Sequence, residues 1–140
     1  MSHTSQKSLS MDEKVNQLSG LIALVLSDGE VTESEYEFLL RIATEMNVSQ
    51  LELDMLIGKD ITFVPPKSEF DRIVQFYRLL LLMHVDKKVV DKELILVKDL
   101  SIKMGLSPLT TDKLIDMINI SPNKQIPADK LIAAFQVNHN

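Results

Sequence analysis

The amino-acid sequence predicts an all-α fold, a compact bundle of seven helices, on three observations. Apolar residues recur mostly at three- and four-residue spacing, which is the period of a helix. Only four glycines and five prolines interrupt the 140 residues. Several Ser or Thr residues are followed three residues later by Glu, a pattern typical of helix starts.

We predict one domain over residues 10–138, after a disordered segment at residues 1–9. A chain of this length buries roughly two-thirds of its unfolded surface and needs no metal or disulfide to fold.

Three capping boxes mark the starts of the first three helices. The box at residues 10–13 opens a helix that continues to about Ser27, and the box at residues 32–35 opens the second helix. The box at residues 49–52 opens a short third helix that ends near Gly58. The apolar side chains that we expect to face the core are Val15, Leu18, Leu21, Ile22 and Val25 in the first helix, and Tyr36, Leu39, Leu40, Ala43 and Met46 in the second.

The least helical segment is residues 59–68, with the sequence KDITFVPPKS. Two adjacent prolines disfavour a helical conformation just before them, so we interpret this segment as a linker. Ser68 is expected to cap a long fourth helix that continues through Val85. A fifth helix follows at residues 91–104, and Gly105 occupies the position where a left-handed residue commonly ends a helix.

Two more helices complete the predicted bundle. Ser107 followed by Pro108 matches the pattern of an N-cap with proline at the first helical position, and opens a sixth helix to about Ile118. The last helix is expected to begin at Pro127 or Ala128.

An internal repeat organises the chain, because shifting the sequence by 58 residues aligns its two halves without a gap. Each repeat contains a long helix, a tight acidic turn, a second helix and a short Ser-capped helix, over about residues 10–60 and 68–118. We therefore predict two pseudo-symmetric three-helix repeats plus a C-terminal helix. The identical positions are Leu21, Leu24, Asp28, Val31, Glu35, Met46, Ser49, Asp54, Leu56 and Ile57, which correspond to Leu79, Leu82, Asp86, Val89, Glu93, Met104, Ser107, Asp112, Leu114 and Ile115.

The acidic turn at residues 27–38, SDGEVTESEYEF, matches the second half of a calcium-binding EF-hand loop. Such a loop needs oxygen ligands at its first and third positions as well as a carboxylate at its twelfth. Here Glu35 would take the twelfth position, but Leu24 and Leu26 would take the first and third and have no oxygen to offer. In the second repeat the same places are held by Leu82 and His84. The turn is therefore not an EF-hand.

Two interpretations of the acidic turn stay open. The carboxylates of Asp28, Glu30 and Glu35 would suit a weak site for a divalent cation, calcium or magnesium rather than zinc. In the second repeat Asp86 and Glu93 are the corresponding ligands, although lysines surround them. Alternatively the turn only caps a helix, since Thr32 with Glu35 forms a capping box and acidic residues complement a helix N-terminus.

The segments DGEVTESEYEFL at residues 28–39 and VDKKVVDKEL at residues 85–94 resemble the tellurite-resistance TerB family. They are similar also to the TerB-like domain that precedes a J-domain in some membrane-anchored co-chaperones. The resemblance covers about residues 10–137. It implies an all-α bundle that acts as a non-enzymatic metal-sensing or scaffolding module in bacterial stress or tellurite-resistance systems, near the membrane. The paired acidic motif of the family would correspond to Asp28 with Glu35 and to Asp86 with Glu93. Lys87 and Lys88 depart from the Gly-Glu of the first repeat.

Composition excludes several other classes. The absence of cysteine excludes disulfide frameworks, thiolate zinc sites and cysteine nucleophiles. The net charge of -5 and the absence of a basic cluster make nucleic acid an unexpected partner. No apolar run approaches the roughly 20 residues of a membrane span, and the polar start lacks a secretory signal. No catalytic constellation is evident, so we expect no enzyme.

We therefore expect a cytoplasmic, non-enzymatic module whose partner is another protein. Its acidic turn either binds a divalent cation weakly or serves only as a helix cap in a protein-interaction scaffold. The sequence leaves peripheral membrane association and the oligomeric state open.

Overall fold

The computed structural model describes residues 11–59, 61–83 and 91–135, and most of these residues lie in helices. Within those ranges there are seven α-helices, two short 3-10 helices and no strand, so the predicted all-α class is confirmed. The α-helices are α1 (Met11–Val25), α2 (Glu33–Glu45), α3 (Gln50–Ile57), α4 (Glu69–Leu82), α5 (Asp91–Lys103), α6 (Pro108–Ile120) and α7 (Ala128–Phe135), and the 3-10 helices span Leu26–Asp28 and Pro122–Lys124.

The helices divide between two compact units, the first ending at Phe63 and the second beginning at Val64. The first unit contains α1 to α3 and the second contains α4 to α7. The boundary lies within the predicted linker, whose described residues up to Lys67 form no helix. The single-domain organisation stays a prediction, and the segment at residues 1–9 lies outside the described residues.

Serine and threonine side chains start four of the helices. Glu52 N–H donates to Ser49 Oγ at 3.1 Å, and Ser49 N–H donates to Glu52 Oε1 at 3.2 Å, so the predicted capping box of α3 is confirmed. Ser68 and Ser107 cap α4 and α6 in the predicted way, each accepting one backbone N–H. The box expected at residues 10–13 lies partly outside the described residues.

One turn geometry ends the second helix of both units. Gly105 has the predicted left-handed conformation, with φ of 89°, and Asn47 has the same kind of conformation in the first unit, with φ of 62°. The next residue closes the turn in each case, because Val48 N–H donates to Ala43 O and Leu106 N–H donates to Ser101 O, both at 2.8 Å. These bonds satisfy carbonyl groups that a helix end leaves without an intrahelical partner.

The helix starts of the two units correspond at the 58-residue offset. The helices α1, α2 and α3 begin at residues 11, 33 and 50, and α4, α5 and α6 begin at residues 69, 91 and 108. Pseudo-symmetric packing of the two units stays a prediction.

The cores consist mainly of aliphatic and methionine side chains, together with Phe38 and Phe76, and Phe76 is the largest fully buried side chain. The buried stripe of α2 differs from the predicted one, because Tyr36 and Leu40 are only partly buried whereas Phe38 and Ile42 are buried. Tyr36 directs its hydroxyl group to polar partners at the surface instead. The most buried side chains include Leu18, Leu21, Leu24, Leu39, Ile42 and Leu53 in the first unit, and Phe76, Leu80, Met83, Val97, Met104 and Leu114 in the second.

Several helix ends differ from the sequence prediction. The helix α6 continues two residues beyond the predicted end, to Ile120, and the 3-10 helix that follows it was not predicted. The helix α4 extends to Leu82, whereas the predicted extension through Val85 enters residues 84–90, outside the described ranges. None of the helices in those ranges is both long enough and apolar enough to cross a membrane.

Candidate functional site

The acidic turn connects α1 to α2 in the first unit. Leu24 is fully buried, so this position belongs to the core of α1 and cannot supply an EF-hand ligand. Asp28 ends the first 3-10 helix, and Gly29 turns the chain with φ of 108° while its N–H donates to Leu26 O at 2.8 Å. Glycine suits this place because a side chain disfavours positive φ. The carboxyl groups of Asp28 and Glu30 lie at the exposed surface of the turn.

Thr32 and Glu35 form the predicted capping box at the start of α2. Glu35 N–H donates to Thr32 Oγ1 at 3.1 Å, and Thr32 N–H donates to Glu35 Oε1 at 2.9 Å. These two bonds satisfy backbone donors that the first turn of a helix otherwise leaves without a partner. Glu35 therefore has a structural role that requires no ion.

The structure gathers no metal-ligand cluster from the predicted residues. Across the described parts of both units, no three His, Asp or Glu side chains are grouped so that they could hold a metal ion. Asp28, Glu30 and Glu35 share one turn but are not brought together as such a set. In the second repeat Glu93 is partly buried in the first turn of α5, and Asp86 lies outside the described residues. Metal binding at either turn stays a prediction.

A polar cluster that sequence reasoning missed joins α2 to α3. The Tyr36 hydroxyl donates to Asp54 Oδ1 at 2.6 Å and accepts a hydrogen bond from Gln50 Nε2 at 3.0 Å. The bond to the Asp54 carboxylate raises the pKa of Tyr36, against a smaller lowering by Gln50. At the 58-residue offset Asp54 corresponds to Asp112. The Asp112 carboxylate forms an ion pair with Lys98, with 3.1 Å between Oδ1 and Nζ, and so joins α5 to α6. The identity of Asp54 and Asp112 in the two repeats was the feature of the sequence that could have indicated this cluster.

An apolar groove lies between α1 and α3 in the first unit. It is lined by Val15, Glu52, Met55, Leu56 and Lys59, and encloses about 200 Å³. The Met55 side chain is 61% exposed. One turn earlier on α3, Leu51 is 71% exposed. Sequence reasoning did not identify this groove. We call it the first groove.

A second groove lies between α4 and α6 in the second unit, and α7 contributes to its lining. Ala134 and Phe135 are the contributing residues of α7. Lys113 Nζ donates to Ala134 O at 3.0 Å and lies 4.9 Å from the centroid of the Phe135 ring. The groove encloses about 420 Å³, and its other lining residues are Glu69, Ile73, Leu109, Thr110 and Lys113. We call it the second groove.

No protein-family model matches the chain, and neither does any curated protein or solved structure.

Proposed function

We propose that this chain is a non-enzymatic protein-interaction module in which the acidic turn serves as a helix cap. The observation that carries the proposal is the pair of large apolar side chains on α3, Leu51 at 71% and Met55 at 61% exposure. Residues four apart lie on the same face of a helix, so the two form one contiguous apolar patch. Single exposed apolar residues are ordinary, whereas a patch beside a groove is typical of a protein-binding surface.

The chemistry of the polar groups supports a role without catalysis. Tyr36, whose pKa is raised, has its hydroxyl bound by two neighbours in an exposed cluster. Catalytic acids and bases instead lie in clefts where a substrate can reach them. The capping box supports the structural role of the acidic turn, because Thr32 and Glu35 satisfy each other's backbone groups.

The cellular setting that we propose rests on the resemblance to the TerB family. The segments at residues 28–39 and 85–94 support a TerB-like module of a bacterial stress or tellurite-resistance system, acting in the cytoplasm. The same resemblance and the exposed carboxyl groups of Asp28 and Glu30 support a second candidate, weak binding of calcium or magnesium at the acidic turn with Glu35 as a further ligand.

Site-specific photo-cross-linking tests the interaction function. A photoreactive residue at position 51 should give a discrete adduct with a partner in a lysate of the source organism, because Leu51 lies in the patch. The same residue in place of Asp12, an exposed position on α1, is the matched control. Equal adduct patterns at both positions, or no adduct at position 51, would contradict the proposal.

A further inference from the structure

We propose that α7 acts as a latch on the second unit: it detaches from α4 and α6 and returns to them, while these two helices stay folded. The closed and the open state differ in how much apolar surface of the second unit reaches water. The latch is separate from the apolar patch of α3, so this conformational switch goes beyond the proposed interaction function.

Few side chains of α7 are buried. The helix has eight residues, and helices this short are marginal in water without tertiary contacts. Leu131 is its one buried residue, with 5% exposure. Ile132 is 46% exposed, and Ala134 and Phe135 are only partly buried. Segments with few buried apolar contacts are the ones that open locally at low free energy in native proteins.

The segment that joins α6 to α7, residues 121–127, contains a strained turn. Asn123 and Lys124 have φ of 56° and 59°, and neither is a glycine. This conformation brings Cβ close to the following carbonyl oxygen, and asparagine adopts it more readily than other residues with a side chain. Gln125 N–H donates to Pro122 O at 3.1 Å and closes the turn. Opening of the latch lets Lys124 return to an ordinary conformation, which offsets part of the contacts that are lost.

Two side chains hold the two ends of the latch. Just before α7, Ile126 N–H donates to the hydroxyl group of Tyr77 on α4 at 2.7 Å, and the Ile126 side chain is buried, with 6% exposure. Near the end of α7, Lys113 Nζ on α6 donates to Ala134 O at 3.0 Å and lies 4.9 Å from the centroid of the Phe135 ring. A cation there is favourable because the last carbonyl groups of a helix have no intrahelical partner.

Opening enlarges an apolar surface that is already partly uncovered. Leu109 lines the second groove and is 78% exposed, and Ala134 and Phe135 form part of the wall of the same groove. Departure of α7 removes this wall and brings Ile126 and Leu131 into water. Since exposure of apolar surface is unfavourable roughly in proportion to its area, the closed state is the major one and the open state the minor one.

Hydrogen exchange of the whole chain under native conditions, followed by NMR, tests the latch. The probes on α7 are the amides of Lys130 and Leu131, which donate to Pro127 O at 3.0 and 3.1 Å. They should exchange faster than the amide of Leu114, a fully buried residue of α6. Their exchange should also depend only weakly on low concentrations of urea, because local opening exposes less surface than global unfolding does.

Tyr77→Phe removes the acceptor of the Ile126 N–H and keeps the aromatic ring. It should accelerate exchange at Lys130 and Leu131 roughly fivefold to tenfold, the effect of losing one hydrogen bond from the closed state. Lys113→Met keeps an apolar stem without the ammonium and should act in the same direction.

The control is Val97→Ala, because Val97 is fully buried in α5, a helix that provides neither of the two ties. It destabilises the second unit through its core, so exchange at Leu114 should accelerate while exchange at Lys130 and Leu131 stays within about twofold. Three results would overturn the latch: α7 amides as slow and as urea-dependent as that of Leu114, equal acceleration of all three amides by Val97→Ala, or unchanged α7 exchange in Tyr77→Phe.

Discussion

Removal of the N-cap side chain by Thr32→Ala should destabilise the protein by about 1 kcal/mol. The substitution deletes the 3.1 Å bond from Glu35 N–H to Thr32 Oγ1. The reciprocal bond, from Thr32 N–H to the Glu35 carboxylate at 2.9 Å, involves only the backbone at position 32 and can persist. The expected loss of stability is therefore that of one capping hydrogen bond, which is less than the loss of both hydrogen bonds of the box.

The third helix provides a matched reference for this measurement. Ser49 and Glu52 form a second capping box with bond lengths of 3.1 and 3.2 Å. If the acidic turn only caps α2, Ser49→Ala should cost about the same 1 kcal/mol. Urea unfolding with an unchanged m-value measures both costs, and the melting temperature should fall by roughly 3–5 °C for a chain of this size.

Glu35→Gln separates capping from cation binding. The glutamine amide oxygen can still accept from Thr32 N–H, so the variant should lose only about 0.3–1 kcal/mol of favourable interaction with the helix dipole. The melting temperatures of wild type and variant are compared in chelator and in millimolar calcium, magnesium or manganese. A cation that binds the native state raises the melting temperature by mass action. If a cation raises the melting temperature of the wild type but not that of Glu35→Gln, the interpretation that the acidic turn only caps α2 is refuted.

Three further outcomes are expected. Gly105→Ala should cost about 1–2 kcal/mol in urea unfolding, because φ there is 89° and a Cβ would lie 3.3 Å from Arg72 Nε. Leu53→Ala should cost about 2–5 kcal/mol, because Leu53 is fully buried in α3. The raised pKa of Tyr36 gives stability that is present below the ordinary value of about 10 and is lost as pH rises through the raised value. Asp54→Asn should therefore lower the pKa of Tyr36. The ring resonances of Tyr36 in an NMR titration measure this pKa, and the same pKa in wild type and variant would contradict the role of the carboxylate.

The starts of the helices were predictable because their signals are local. A Ser or Thr side chain at Thr32, Ser49, Ser68 or Ser107 reaches a backbone N–H only three residues away, so the sequence contains the whole interaction. The left-handed end at Gly105 was predictable for the same reason, since glycine tolerates positive φ. Asn47 adopts the same conformation although it is not a glycine. Its role in ending α2 becomes evident only from the hydrogen bond that Val48 N–H donates to Ala43 O.

The candidate binding surface was not predictable, because α3 is apolar on more than one side. Leu53 and Leu56 are buried, whereas Leu51 and Met55 are exposed. Periodicity alone cannot decide which of these pairs faces the core in so short a helix. The groove also joins Val15 of α1 to Met55 of α3, and no local pattern reports on a contact of that sequence separation.

The turn that ends the second helix has a practical consequence for protein engineering. Asn47 and Gly105 both adopt the left-handed conformation at this turn, and the same backbone hydrogen bonds follow in both units. Two different residues therefore fit the same backbone conformation. Asn47→Gly would copy the second solution into the first unit. Wherever the two units share a backbone conformation but differ in residue, each one supplies a naturally selected replacement for the other, and a small library of such exchanges can be written from this single sequence.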